Sequence, residues 1–237
     1  TDNYNVGVGY EAGGAITTGI YNTFVGGAAG DSTTTGQRNV GVGLQALDYN
    51  TVGDASVAVG TNALRKQNPA TNTDMYNVGI GDEAGAEITT GLQNTFVGAL
   101  AGDDLTDGDN NTALGYTALS GAVTGDFNVA VGAGALLVST GGDDNTAVGY
   151  NALMANAGGQ DNVALGSALR SNTEGDSNIG IGTDALTANQ TGGQNIAIGY
   201  QAMKTNIDGS DSTALGYTAL YTQEPASAVS MRNVAVG

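Results

Sequence analysis

The chain has 237 residues with 40 Gly, 2 Pro, no Cys, His or Trp, and a formal net charge of −17 from 23 acidic and 6 basic side chains. Average usage gives roughly 17 Gly in this length and about a quarter charged residues, against 12% here, which excludes a helical bundle or coiled coil. Without thiols or imidazoles there is no disulfide framework, no Cys nucleophile and no conventional zinc site, and the acidity disfavours nucleic acid or an anionic membrane surface as partner. No apolar run approaches the roughly 18 residues of a membrane span, and Gly does not recur at every third residue as collagen requires.

A five-residue unit, Asn/Ser, then Val/Thr/Ile, then a small residue or Phe, then an aliphatic residue and Gly, recurs along the whole chain. In chain order it begins at Asn5, Asn22, Asn39, Ser56, Asn77, Asn94, Asn111, Asn128, Asn145, Asn162, Asn178, Asn195, Ser212 and Asn233. The steps are 17 residues, apart from two of 21 and one of 16. With the Asn as position 1, position 5 is always Gly, including Gly9, Gly26, Gly43, Gly132 and Gly149, and position 8 is Ala in nearly every copy, as in Ala12, Ala46 and Ala118. Position 9 is usually Leu, and position 15 is Gly in most copies. Positions 2 and 4 are apolar or β-branched, so each copy predicts a short strand, a Gly turn, a second short apolar piece and a polar turn.

One such strand cannot bury its own face, but stacked copies can. The period therefore predicts an all-β parallel β-solenoid of about fourteen 17-residue coils, a single repeat domain over 1–237, about 65 Å long at about 4.8 Å per coil. Asn at position 1 is expected to form side-chain ladders at a bend. Position 3 is Ala or Gly except for Phe24 and Phe96. Their neighbours Gly7, Gly41, Gly79 and Ala113, and their own position 9, Gly30 and Gly102, shrink where a ring must fit. The stretch from Asn5 to Asp31 nearly repeats from Asn77 to Asp103, which suggests duplication of a multi-coil block.

The irregularities come next. Long turns at 65–76 and 221–232 carry one proline each, Pro69 and Pro225, and hold Arg65, Lys66 and Arg232, half of the basic residues. With Tyr76 these are candidate receptor contacts, or else the loops are tolerated insertions or clasps between chains. Asp54, Asp109, Asp126, Asp143, Asp161, Asp176 and Asp211 fall just before position 1. Stacked carboxylates could favour a divalent cation, which makes Asp126, Asp143, Asp161 and Asp176 candidate Ca²⁺ ligands, although no Ca²⁺-binding repeat or EF-hand loop is present. Asp and Gly are also good turn residues, and no other cofactor is expected. Tyr10, Tyr116, Tyr150, Tyr200 and Tyr217 share position 6, where they can stack on sugars or cover junctions between coils. Catalysis is not expected, because the acids recur on turns instead of converging and no His or Cys can activate a nucleophile.

Strings such as Asn128-Val129-Ala130-Val131-Gly132, and Asn145-Thr146-Ala147-Val148-Gly149-Tyr150-Asn151-Ala152-Leu153, resemble the repeats of bacteriophage tail fibres and the similar head repeats of trimeric autotransporter adhesins. The resemblance covers essentially the whole chain. It implies a left-handed parallel β-roll packed side by side as a homotrimer, and a fibre segment of a virion that presents or contacts a host cell-surface glycan or protein receptor. The alternatives are the head of a bacterial surface adhesin or an extracellular structural filament. The 17-residue coil is longer than the usual adhesin repeat, which favours the phage version. The chain opens without Met and stops at Gly237 inside the pattern, so a piece of a longer fibre chain is expected, without membrane insertion. If positions 2 and 4 point into the roll, the small position 3 faces outward and admits a neighbouring chain; the opposite assignment stays open.

Overall fold

A computed structural model describes residues 3–121, 124–223 and 229–237. The chain divides into two compact units, Thr1–Thr124 and Gly125–Gly237. Among the described residues there is no helix, and both units are parallel β-solenoids, about 13 turns of about 17 residues in total. In the first unit the strands are β1 (Val6–Val8), β2 (Thr23–Val25), β3 (Val40–Val42), β4 (Gly53–Asp54), β5 (Val57–Val59), β6 (Thr73–Asp74), β7 (Val78–Ile80), β8 (Thr95–Val97) and β9 (Thr112–Leu114). In the second they are β10 (Val129–Val131), β11 (Thr146–Val148), β12 (Val163–Leu165), β13 (Ile179–Ile181), β14 (Ile196–Ile198), β15 (Gly209–Ser210), β16 (Thr213–Leu215), β17 (Val229–Ser230) and β18 (Val234–Val236).

Every repeat contributes one three-residue strand, and like positions lie over like. Val40 pairs with Val57, and Val57 with Val78, so the 21-residue step leaves the register intact. The 16-residue step does the same in the second unit, where Val163 pairs with Ile179 and Leu165 with Ile181. The surplus residues of the long turns leave the strand stack and add a second small ladder beside it, β4 with β6 and β15 with β17, both parallel. Residues 224–228 of the second long turn, Pro225 among them, lie outside the described residues.

Three backbone features bend each turn. Gly43 adopts φ +138°, and a Cβ at that position would collide with the carbonyl oxygen of Gly60 in the next turn. Residues before position 1, and at positions 7 and 9, take left-handed conformations although most carry side chains: Tyr21 has φ 62°, Gln45 56° and Leu47 57°. Such a conformation costs about 1–2 kcal/mol per residue. It persists because it aims each N–H along the stack: Tyr21 N–H donates to Asn3 O (3.0 Å), Gln45 to Gly27 O (2.9 Å) and Leu47 to Ala63 O (3.1 Å).

The interior is thin and set by position. Position 3 points inward, so Phe24, Ala58, Phe96 and Ala113 are fully buried, together with position 8 (Ala46, Ala63, Ala84) and position 9 (Leu47, Leu64, Leu119). The two rings occupy space that glycines leave. A Cβ on Gly30 would collide with the Phe24 ring, and one on Gly41 would stand 2.9 Å from it. Gly102 and Gly85 make the same room for Phe96. Of the two assignments open from alternation, the structure therefore takes the second: positions 2 and 4 face outward. The first, with position 3 as the outer row, is corrected, because the bulk of the core comes from positions 3, 8 and 9.

Asn at position 1 works in two directions. Asn22 Nδ2 donates to Gly36 O (2.8 Å) and closes its own turn, while its Oδ1 accepts the Asn39 N–H (2.9 Å) of the next. Asn5, Asn39, Asn77, Asn94, Asn145 and Asn162 close their turns the same way. Asn128 donates likewise to Gly142 O (2.9 Å), and Asn111 joins the ladder through its N–H, which donates to Asn94 Oδ1 (2.8 Å). A second buried amide column runs through position 12 of the second unit, position 11 in the copy one residue short, where Asn172 donates to Asn156 (2.8 Å), Asn189 to Asn172 (2.7 Å) and Asn206 to Asn189 (3.0 Å).

Candidate functional site

The outward face of the sheet strands carries only Val, Ile, Leu or Thr at positions 2 and 4 in all fourteen repeats, within a chain of net charge −17. Val59, Ile80 and Leu114 in the first unit, and Val148 and Leu215 in the second, are among the large hydrophobic side chains left exposed at these positions. Aromatic rings stand at its margins. Tyr4 and Tyr21, just before position 1, stack at 5.4 Å, and Tyr200 and Tyr217, at position 6 of successive turns, stack at 5.3 Å. Tyr10, Tyr116 and Tyr150 are exposed at position 6 as well.

The turn aspartates hold backbone. Asp54 Oδ1 accepts the Gln37 N–H (2.7 Å), Asp143 Oδ1 the Asp126 N–H (2.9 Å) and Asp176 Oδ1 the Gln160 N–H (2.8 Å). Asp161 instead takes a left-handed corner, φ 57°, and its own N–H donates to Asp143 O (3.2 Å). Among the described residues no three His, Cys, Asp or Glu side chains come together as a metal-ion site.

Of the candidate receptor contacts, three belong to the first long turn and its flank. Lys66 Nζ lies 2.5 Å from Glu87 Oε2, and the Arg65 guanidinium lies 3.9 Å from Glu87 Oε1 and 5.9 Å above the Tyr49 ring. Tyr76 is exposed and its hydroxyl donates to Asp74 Oδ2 (3.0 Å), which holds the phenol above its usual pKa. Asp74 also pairs with Arg38, and Thr35 donates to Asn72 (3.0 Å), so the long turn reaches past its neighbour and is fastened to the repeat that begins at Asn22. Arg232 is exposed in the second unit, at a left-handed corner with φ 49°. The structure thus brings Arg65 and Lys66 together around Glu87, while Tyr76 pairs with Asp74 and Arg232 belongs to the second unit.

Two concavities adjoin the Lys66–Glu87 pair. One, of about 100 Å³, is lined by Asn62, Arg65, Glu83, Glu87, Asp103 and Asp104; Asn62 Oδ1, Arg65 Nε and Asp103 Oδ1 are buried there without a hydrogen-bond partner among the described residues. The other is an open groove of about 460 Å³ lined by Tyr49, Lys66, Asn68 and Thr89. The amino-acid order marks Arg65 and Lys66 as candidates but not Tyr49, Asn68, Thr89 or Asn62. The signal for the groove is the repeat itself, since Tyr49, Lys66 and Glu87 all occupy position 11 and therefore stack.

Charge pairing is uneven among the acids. Burial pushes the carboxyls of Asp48, Asp54 and Asp103 up. At Asp184 burial acts in the same sense but is outweighed by hydrogen bonds from Lys204 (3.2 Å) and Gln201 (3.3 Å) and by the Lys204 and Arg170 charges, so its pKa is lowered from 3.8. A lowered carboxyl stabilises the fold above its unfolded value and loses that contribution as the pH falls through the native value. Asp184→Asn, which keeps a residue type at ease in the left-handed corner, should therefore cost about 1 kcal/mol at neutral pH, with the deficit closing below 3.8. Thermal melts of the two proteins across that range check this; a deficit that stays constant with pH overturns it.

No protein-family model matches the chain, and no curated protein matches its sequence.

Proposed function

We propose that this chain is a structural and adhesive fibre segment, self-associated as a homotrimer, that presents surfaces for attachment to a host cell-surface glycan or protein receptor, as in a bacteriophage tail fibre. Catalysis is no part of the proposal. The observation that carries it is the outward face of positions 2 and 4. A sheet with one solvated face normally alternates apolar inward and polar outward. Here the inner position is small apart from Phe24 and Phe96, and the outer two are apolar or Thr at every repeat, with no charged residue among them. Apolar surface repeated in this way is what a neighbouring copy covers, and weak contacts repeated along a solenoid sum to a stable assembly.

Sedimentation equilibrium tests the assembly. Three copies of the 23.4 kDa chain should give a species of about 70 kDa. Val59→Lys with Leu114→Lys places charges on exposed side chains of the outward face, so the turns should still form while the mass falls to that of one chain. A wild-type protein that sediments as a folded 23.4 kDa monomer at low concentration overturns the homotrimer.

A further inference from the structure

We propose that the groove lined by Tyr49, Lys66, Asn68 and Thr89 is a binding subsite for a neutral saccharide. The inference rests on the reading of the chain as an attachment segment and names the ligand class and the place. The groove, about 460 Å³, is open to solvent, so a sugar ring would lie along it against these four side chains and not be enclosed. The wall is an aromatic ring, Tyr49, which is 47% exposed although the Arg65 guanidinium lies 5.9 Å from its centre. A pyranose offers one face of C–H bonds and an edge of hydroxyls, so it needs an apolar plate beside groups that both donate and accept.

The polar side chains supply those groups. Asn68 Oδ1 accepts the Thr51 hydroxyl (2.6 Å), which fixes the amide and leaves its NH₂ as donors. Thr89 is fixed in turn, its hydroxyl donating to Thr106 O (2.9 Å), so its oxygen can accept. Lys66 spends one N–H on Glu87 and keeps two more. Lys66 and Arg65 share the Glu87 carboxylate, which draws both cations to a protein anion, and the field of a chain at −17 repels acidic sugars. A neutral hexose or N-acetylhexosamine is therefore the fitting ligand. The adjoining acidic cavity, by contrast, brings no three metal-ligating side chains together among the described residues.

The test is ligand-observed saturation-transfer NMR on the whole chain with the methyl glycosides of glucose, galactose, N-acetylglucosamine and sialic acid. At least one neutral glycoside should receive saturation and the sialoside none. Tyr49→Phe should retain binding, Tyr49→Ala should weaken it by about tenfold, and Phe127→Ala, at an exposed ring of the second unit, should leave it unchanged. Circular dichroism establishes that the variants are folded. No transfer to any neutral glycoside at tens of millimolar, a preference for the sialoside, or an unaltered Tyr49→Ala protein each overturns the subsite. None of these results touches the sedimentation test, so failure of the subsite and failure of the fibre assembly are told apart.

Discussion

Gly43→Ala should lower the stability of the chain by about 4 kcal/mol or more, which for a protein of this size corresponds to a fall in Tm of roughly 10 °C. Two costs combine. The first is conformational, since φ +138° lies in a region that residues with a Cβ essentially do not occupy. The second is steric: the new methyl meets the carbonyl oxygen of Gly60. That group cannot retreat alone, because the Gly60 N–H is bonded to Val42 O (2.8 Å) in the ladder between turns. Moving one turn strains the next, so the damage spreads along the solenoid. Gly27→Ala is the control. Its φ is ordinary, and its nearest contact is a movable Leu44 methyl at 3.3 Å, so it should be close to neutral. Equal melting temperatures for the two variants would refute the account of position 5.

The same stacking explains what can be read from the amino-acid order and what cannot. Identical residues at identical phases, such as the glycine at position 5 and the Asn of position 1, are visible because each must meet its own copy above and below. Phe24 with Gly30, and Phe96 with Gly102, are visible because a ring and a missing side chain recur together. Which strand face points inward is not decided by alternation, for a period of two is the same viewed from either side. The clue lies in those rings, since a side chain that needs a gap at position 9 of its own turn must lie on the same side as position 9.

A second relation is harder to see in one dimension. Both 21-residue turns begin with Ser in place of Asn, and both carry Gln at position 12. Neither long repeat carries the position-15 Gly whose carbonyl Asn bonds elsewhere, and the longer amide of Gln takes over. Ser56 Oγ and Asn77 Nδ2 both donate to Gln67 Oε1, at 3.1 and 3.0 Å. In the second unit Gln223 Nε2 donates to Ser212 Oγ (3.0 Å) and Gln223 Oε1 accepts from Asn233 (3.0 Å). The insertion and its two substitutions are thus one structural change. The receptor reading of Arg65 and Lys66 is incomplete for a related reason: basic residues in a long turn look free along the chain, yet Glu87 stands over Lys66 one turn on.

Asn22→Asp should be as damaging as the loss of a core side chain, although it exchanges one NH₂ for one oxygen. Asn22 is fully buried, and its Nδ2 is the donor to Gly36 O at 2.8 Å. A carboxylate there would place two acceptors against each other in a site with no cation among its described partners, at a cost of about 3–5 kcal/mol at neutral pH. The backbone bond on the other side should survive, because either oxygen can accept the Asn39 N–H now held at 2.9 Å. Protonation restores a donor to the Gly36 carbonyl. The introduced carboxyl therefore has its native pKa raised above the unfolded value, so most of the lost stability returns below that unfolded value and disappears again as the pH rises through the native one. Asn22→Leu removes donor and acceptor together and has no proton to regain, so its deficit should be flat with pH. Melting curves of the two variants between mildly acidic and neutral pH separate the cases: a flat profile for Asn22→Asp would mean that the side-chain ladder does not hold the turns together.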